Sequence, residues 1–155
     1  MASSYAADFL SAVREGRSHI PIPLDSLRLD SVTGFDIYIQ PRSGETMVLY
    51  AKRDVAFGLA ALRRLQQSHV QYVYIDAAQQ GEYRLYIESH MPDILGDPSI
   101  QVAEKAEILY TSAQGLLKEL LADPLTVEGV DRGRGIVEST VGFLRSQRRA
   151  LRQLI

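Results

Sequence analysis

The stretch from Val102 to Ile155 constrains this chain more than any other. Val102, Ala106, Leu109, Ala113, Leu116 and Leu120 follow one another at alternating spacings of four and three residues. That is the apolar stripe that lets one helix lie along another at a small crossing angle. Asp123-Pro124 stops it, because proline has no amide to donate and disfavours helix in the residue before it. A second stripe runs Val130, Val137, Val141, Leu144, Leu151 and Ile155, with Arg134 and Arg148 at the two positions where the alternation calls for an apolar side chain. Ile136, Phe143 and Leu154 form a parallel row, which makes this face wider than a single neighbour covers. The pattern predicts an antiparallel helical hairpin that also packs against something else, either the preceding residues or a second copy of the chain. Leu109, Leu116, Leu120, Val137, Val141 and Leu144 are the expected helix seam or dimer interface.

The rest reads as something mounted on that hairpin. Ile20-Pro21-Ile22-Pro23-Leu24 cannot be helical, since its prolines are tolerated only at an edge or a strand start, so it is an entry strand or extended brace. Asp25 and Ser26 suit a cap for a short turn carrying Leu27 and Leu29, with Ser31 to Gly34 as a loop. Phe35 to Ile39 alternates apolar and polar residues, Pro41 to Glu45 turns around Ser43-Gly44, and Thr46 to Ala51 returns, which predicts a hairpin. An amphipathic helix is expected from near Ala56, then a strand at Gln71 to Ile75 reached by a right-handed crossover. Glu82 to Met91 has helical spacing interrupted at Pro92, and Ser99 stands where an N-cap would open the long helix. Met1 to Arg17 supplies a short helix or a loose arm. The expected fold is α+β: a small, mostly antiparallel sheet with flanking helices, followed by the long C-terminal hairpin. The expected divisions are an arm at 1–19, a small α+β regulatory domain at 20–98 and a dimerisation and signal-transmission hairpin at 99–155.

Composition narrows the function. A chain of 155 residues can bury one proper core. With 17 basic and 19 acidic side chains the formal charge is −2, so no overall field favours nucleic acid, and none is expected as a partner. The absence of cysteine excludes disulfides, thiolate metal sites and cysteine nucleophiles, and fits a reducing compartment. No apolar run approaches the ~20 residues that cross a bilayer, and Met1 to Phe9 lacks the order of a signal peptide. A cytoplasmic protein without a membrane partner is expected.

Candidate chemistry is sparse. His19, His69 and His90 fall in different predicted elements and read as surface or capping residues. Tyr38, Tyr50, Tyr72, Tyr74, Tyr83 and Tyr86 gather in the α+β part, and a phenol both packs and hydrogen-bonds. Most of them suit a half-buried sheet face; a small-molecule effector pocket near Tyr38, Arg53 and Tyr74 is the functional expectation. Asp30 to Gly34 superficially resembles the serine-containing half of the PilZ nucleotide motif and fails in detail, since Leu29 stands where that motif needs Asp or Asn and Arg14 and Arg17 have the wrong spacing for its other half. Arg145, Arg148, Arg149 and Arg152 share one helical face and read as a solvated, dipole-compensating surface. No catalytic residue, metal ligand or cofactor site is expected.

Taken in order, Ile20 to Leu24, Leu27-Arg28-Leu29-Asp30, Phe35 to Ile39, Val48-Leu49-Tyr50 with Arg53-Asp54, Tyr72 to Ile75, Tyr83 with Tyr86, Ala106 to Tyr110 and Val137 to Val141 resemble the N-terminal region of a group of bacterial HD-GYP proteins. The resemblance spans about Ile20 to Ile155 and rests on the order of many short pieces. It implies a sensory or regulatory segment preceding a metal-dependent domain that hydrolyses cyclic di-GMP. The catalytic motifs are not here: none of the three histidines is followed by Asp, and there is no Gly-Tyr-Pro. The resemblance therefore implies a non-enzymatic input domain, homodimeric through its terminal helices, with an HD-GYP domain as its partner in a longer protein. A stand-alone small-molecule or nucleotide-binding module using a tyrosine-lined pocket is the second reading.

Overall fold

Pro21 and Pro23 decide where the first strand goes. A computed structural model describes residues 5–42, 44–122 and 127–154. Ser43, Asp123, Pro124 and Ile155, named above, lie outside the described residues, as do the side chains of Leu151 and Leu154. Strand β1 (His19–Pro23) occupies one edge of a four-stranded sheet and pairs antiparallel with β6 (Tyr72–Asp76). An edge is where a strand can lack amide donors without breaking a ladder. The sheet order is β1-β6-β3-β4, with β3 at Ile37–Ile39 and β4 at Val48–Ala51. Both β4 and β6 pair antiparallel with β3, so they run parallel to each other on either side of it.

Alternation then sorts the side chains. Ile20 faces Ile75 and Ile22 faces Val73 across the β1–β6 ladder, and all four are buried. Their face of the sheet, with Ile37, takes the core of the first compact unit, Met1–Ile87. Helix α1 (Tyr5–Arg14) packs on β1 and buries Phe9 and Ala12. Helix α3 (Gln80–Gly96) contributes Tyr83, Tyr86 and Ile87. Phe35 meets the rings of Tyr83 and Tyr86 edge-on, both at 5.4 Å between centroids, the geometry that aromatic quadrupoles favour.

Several boundaries differ from the expectations. Ala56 does not begin a helix: Ala56–Phe57 is β5, paired with β2 (Ser31–Val32), a segment expected as loop. The buried ring of Phe57 and the bond from the Asp30 amide to the Phe57 carbonyl (2.9 Å) hold this segment extended. Helix α2 (Leu59–Gln67) starts after Gly58. The returning strand begins at Val48 rather than Thr46, and a bulge falls between Ile37 and Tyr38. Helix α3 runs through Pro92, although proline removes a helical hydrogen bond, because Met91 and Ile94 on either side are buried. Ser99 does not cap the long helix α4 (Val102–Ala122): its amide and hydroxyl both donate to Asp97 Oδ1, at 2.9 and 2.6 Å, and the helix begins only at Val102.

The second compact unit, Glu88–Ile155, contains the end of α3, helix α4 (Val102–Ala122) and helix α5 (Val127–Leu154). Helices α4 and α5 pack together. Four residues separate them, a tether of at most ~17 Å, while α4 is about 31 Å long. The two must therefore run antiparallel.

Candidate functional site

The tyrosines do not form one cluster. Tyr83 and Tyr86 belong to the core face, where their hydroxyls are occupied: Tyr83 donates to Ser26 Oγ at 3.1 Å, and the Arg28 amide donates to Tyr86 Oη at 2.7 Å. Tyr38 and Tyr74 are direct cross-strand partners on the opposite, half-buried face, and the His19 ring stacks edge-on against Tyr38 at 4.8 Å. A shallow concavity beside Tyr38 is lined by Arg17, Ser18, His19, Thr46, Met47 and Asp76. Of the expected pocket residues, the sheet brings Tyr38 and Tyr74 together. Arg53 is exposed in the turn after β4, with its amide donating to Asp36 Oδ1 at 2.8 Å, and does not line this concavity. Tyr50 lies elsewhere again, its hydroxyl donating to the Ala61 carbonyl of α2 at 3.1 Å.

The histidines stay apart. His19 contacts Ser18, His90 contacts Ser89, and His69 closes α2 with a positive φ of 56°. The His69 amide reaches the Gln66 carbonyl and the Val70 amide the Leu65 carbonyl, both at 3.0 Å, the paired bonds of a Schellman cap. Among the described residues no group of His, Asp and Glu is placed to hold a metal ion.

The hairpin is built differently from the simplest reading of its stripes. On α4, Leu109 and Leu116 are buried, 7% and 3% exposed. On α5 the row turned into the unit is Ile136 and Phe143, while Val137, Val141 and Leu144 stand 61%, 41% and 60% exposed. The two stripes therefore do not mate within one chain. The width of the α5 face explains this: a helix with two adjacent apolar rows buries the bulkier row and leaves the other outward.

Sequence reasoning missed one feature altogether. Arg132 grips Glu88 with two bonds, Nε to Oε2 at 2.7 Å and Nη2 to Oε1 at 2.8 Å, and its Nη1 donates to Glu119 Oε2. The side chains of Arg132 and Glu88 are 18% and 12% exposed, that of Glu119 36%. Hydrogen bonding to Glu88 holds the Arg132 guanidinium above its ordinary pKa, against the opposing pull of burial. The triad ties α3, α4 and α5 at one end of a cleft of about 780 Å³. Pro92 and Leu95 form one wall, and Gly135, Ser139, Gly142 and Ser146 of α5 the other. No local pattern marks such a triad, since its members lie 44 and 13 residues apart.

The fold is thus α+β, with antiparallel sheets and a packed helical pair. Comparison with known proteins adds little to it. No family model matches the chain, and no curated protein matches it. Among solved structures it is similar to Bd1817, a HDG"Y"P protein from Bdellovibrio bacteriovorus, at 25% identity and a TM-score of 0.43. The match covers 86% of this chain and 43% of that one, so the chain spans less than half the length of the protein it resembles. No helix among the described residues is long and apolar enough to cross a membrane.

Proposed function

We propose that this chain is a non-catalytic regulatory input module that pairs with a second copy through its terminal helices and biases an HD-GYP cyclic di-GMP phosphodiesterase domain in the same polypeptide. The ordered resemblance from about Ile20 to Ile155 supports the family reading. The observation that carries the pairing is the exposed stripe Val137, Val141, Leu144 on a helix whose other row is already buried. An effector or partner on the sheet unit acts only by preferring one packing of the helices over another, because a ligand with equal affinity for both states shifts nothing. Two apolar helix faces held together are a natural bistable element for such a shift, by rotation or register.

Two measurements test this. The chain alone, incubated with cyclic di-GMP and divalent metal, is expected to give no hydrolysis; turnover would overturn the non-catalytic assignment. In a polypeptide carrying this chain ahead of an HD-GYP domain, Val137→Asp with Val141→Asp is expected to change the hydrolysis rate at least several-fold. An unchanged rate would remove the regulatory role.

A further inference from the structure

Two stripes that do not face each other can still make one surface, and their rotational order decides whether they do. With about 100° per residue, the sequence of faces around α4 is Glu119, then buried Leu116 and Leu109, then Leu120, Ala113 and Ala106. Around α5 it is Arg132, then buried Ile136, then Leu144, Val137 and Val141, turning in the same sense. In two antiparallel helices that face each other, an identical turning order puts corresponding faces on the same side of the pair. The ion triad and the cleft therefore lie on one side of the hairpin, and Leu120, Ala113 and Ala106 of α4 with Leu144, Val137 and Val141 of α5 on the other. On α5 the cleft-lining row and the exposed stripe stand about 160° apart.

The structure assigns that second side to another copy of this chain, packed so that α5 of each copy lies on α4 of the other in a four-helix bundle. This rests on the pairing proposed above and fixes its partner faces and orientation. Size favours it. Helices of 21 and 28 residues, side by side, present a face of about 700 Å², close to the ~800 Å² each partner gives a standard stable interface. Shape favours it too. The Arg132–Glu119 contact sets the register of the hairpin, and at that register Val137 stands level with Ala113 and Leu144 with Ala106. Laying α5 on the partner's α4 sets a large residue against a small one at both levels, as interdigitated cores require.

Charge weighs against the other two-fold arrangement when it is centred on Val141. Arg134 and Arg148 each lie seven residues from Val141, the centre of the exposed stripe. Pairing α5 against α5 antiparallel about that centre would set Arg134 of each copy opposite Arg148 of the other, a like-charge contact made twice. Pairing α5 with α4 avoids it. In that arrangement the two-fold axis runs along the bundle, and both C-terminal ends leave from the same end.

The chain has no cysteine, so crosslinking reads the arrangement directly. Ala113→Cys and Val137→Cys are made separately, checked by circular dichroism, mixed and mildly oxidised. The mixture is expected to give a covalent dimer, and Val141→Cys alone to give little. A strong Val141→Cys dimer with none from the mixture overturns this orientation while leaving the pairing intact. Sedimentation of the unmodified chain at 10–200 µM, roughly the range bracketing a moderate dimer, is expected to show a dimer. A monomer throughout overturns the orientation and the pairing together.

Discussion

Replacing Arg132 with methionine tests whether the triad holds the helical unit together. The substitution keeps much of the apolar stem and removes the guanidinium, leaving two carboxylates facing each other in a partly closed site. Breaking a buried ion pair costs about 3–5 kcal/mol, an exposed one about 0.2–1 kcal/mol. With Arg132 and Glu88 18% and 12% exposed, the pair falls nearer the first case, and water at the open side screens part of it. A loss of about 2–3 kcal/mol follows. Urea unfolding followed by circular dichroism reads it as a midpoint lowered by about 1–1.5 M, for a slope near 2 kcal/mol/M. Glu88→Gln is expected to cost nearly as much, because it ends a bidentate contact. Glu119→Gln, at a group 36% exposed, should cost under ~1 kcal/mol. A double-mutant cycle of Arg132→Met with Glu88→Gln should return a coupling of at least ~1 kcal/mol. The guanidinium is held charged even above its ordinary value. Its contribution is therefore complete at every pH below the ordinary arginine pKa and would fade only above it, so raising the pH from 7 to 9, roughly four units short of that value, leaves the gap unchanged. An Arg132→Met variant within ~0.5 kcal/mol of the parent, or equal losses from the two glutamates, would refute this reasoning.

Two further expectations concern backbone conformation. A Cβ built at Gly135 or Gly142 meets nothing within 4 Å, so Gly135→Ala and Gly142→Ala should each raise stability by about 0.5–1 kcal/mol; a lowered urea midpoint would mean that something approaches the helix closely there. His69 holds a left-handed conformation at the end of α2, so His69→Gly should stabilise by about 1 kcal/mol in thermal unfolding, and a loss would show that its side chain makes contacts that outweigh the strain.

What could be read beforehand was whatever repeats along the chain. The alternation in Phe35 to Ile39 and Gln71 to Ile75, the prolines at 21 and 23 and the stripe on α4 led to the α+β class and its antiparallel sheet. What escaped was decided by partners distant in sequence. Ala56-Phe57 has ordinary helix-compatible residues, yet pairing with Ser31-Val32 makes it a strand. Pro92 looks like a stop, yet the burial of Met91 and Ile94 carries α3 past it. The choice between the Ile136–Phe143 row and the Val137–Leu144 stripe depended on which one the rest of the unit could cover. The tyrosines illustrate the same limit: alternation separates Tyr38 and Tyr74 from the core, helical spacing puts Tyr83 and Tyr86 into it, and Tyr50 lies apart from both. The Arg132 triad joins three helices and leaves no periodic trace.

The prolines of β1 have one more effect. An open sheet margin is a template on which a neighbouring molecule can add a strand, and runaway addition is how such sheets become fibrils. Pro21 and Pro23 strip that margin of donors, while at the far margin β4 is only four residues long and lies beside a bulge, features that discourage growth there as well. Self-recognition through backbone hydrogen bonds is thereby suppressed, and side chains on the helices are left to choose the company this molecule keeps.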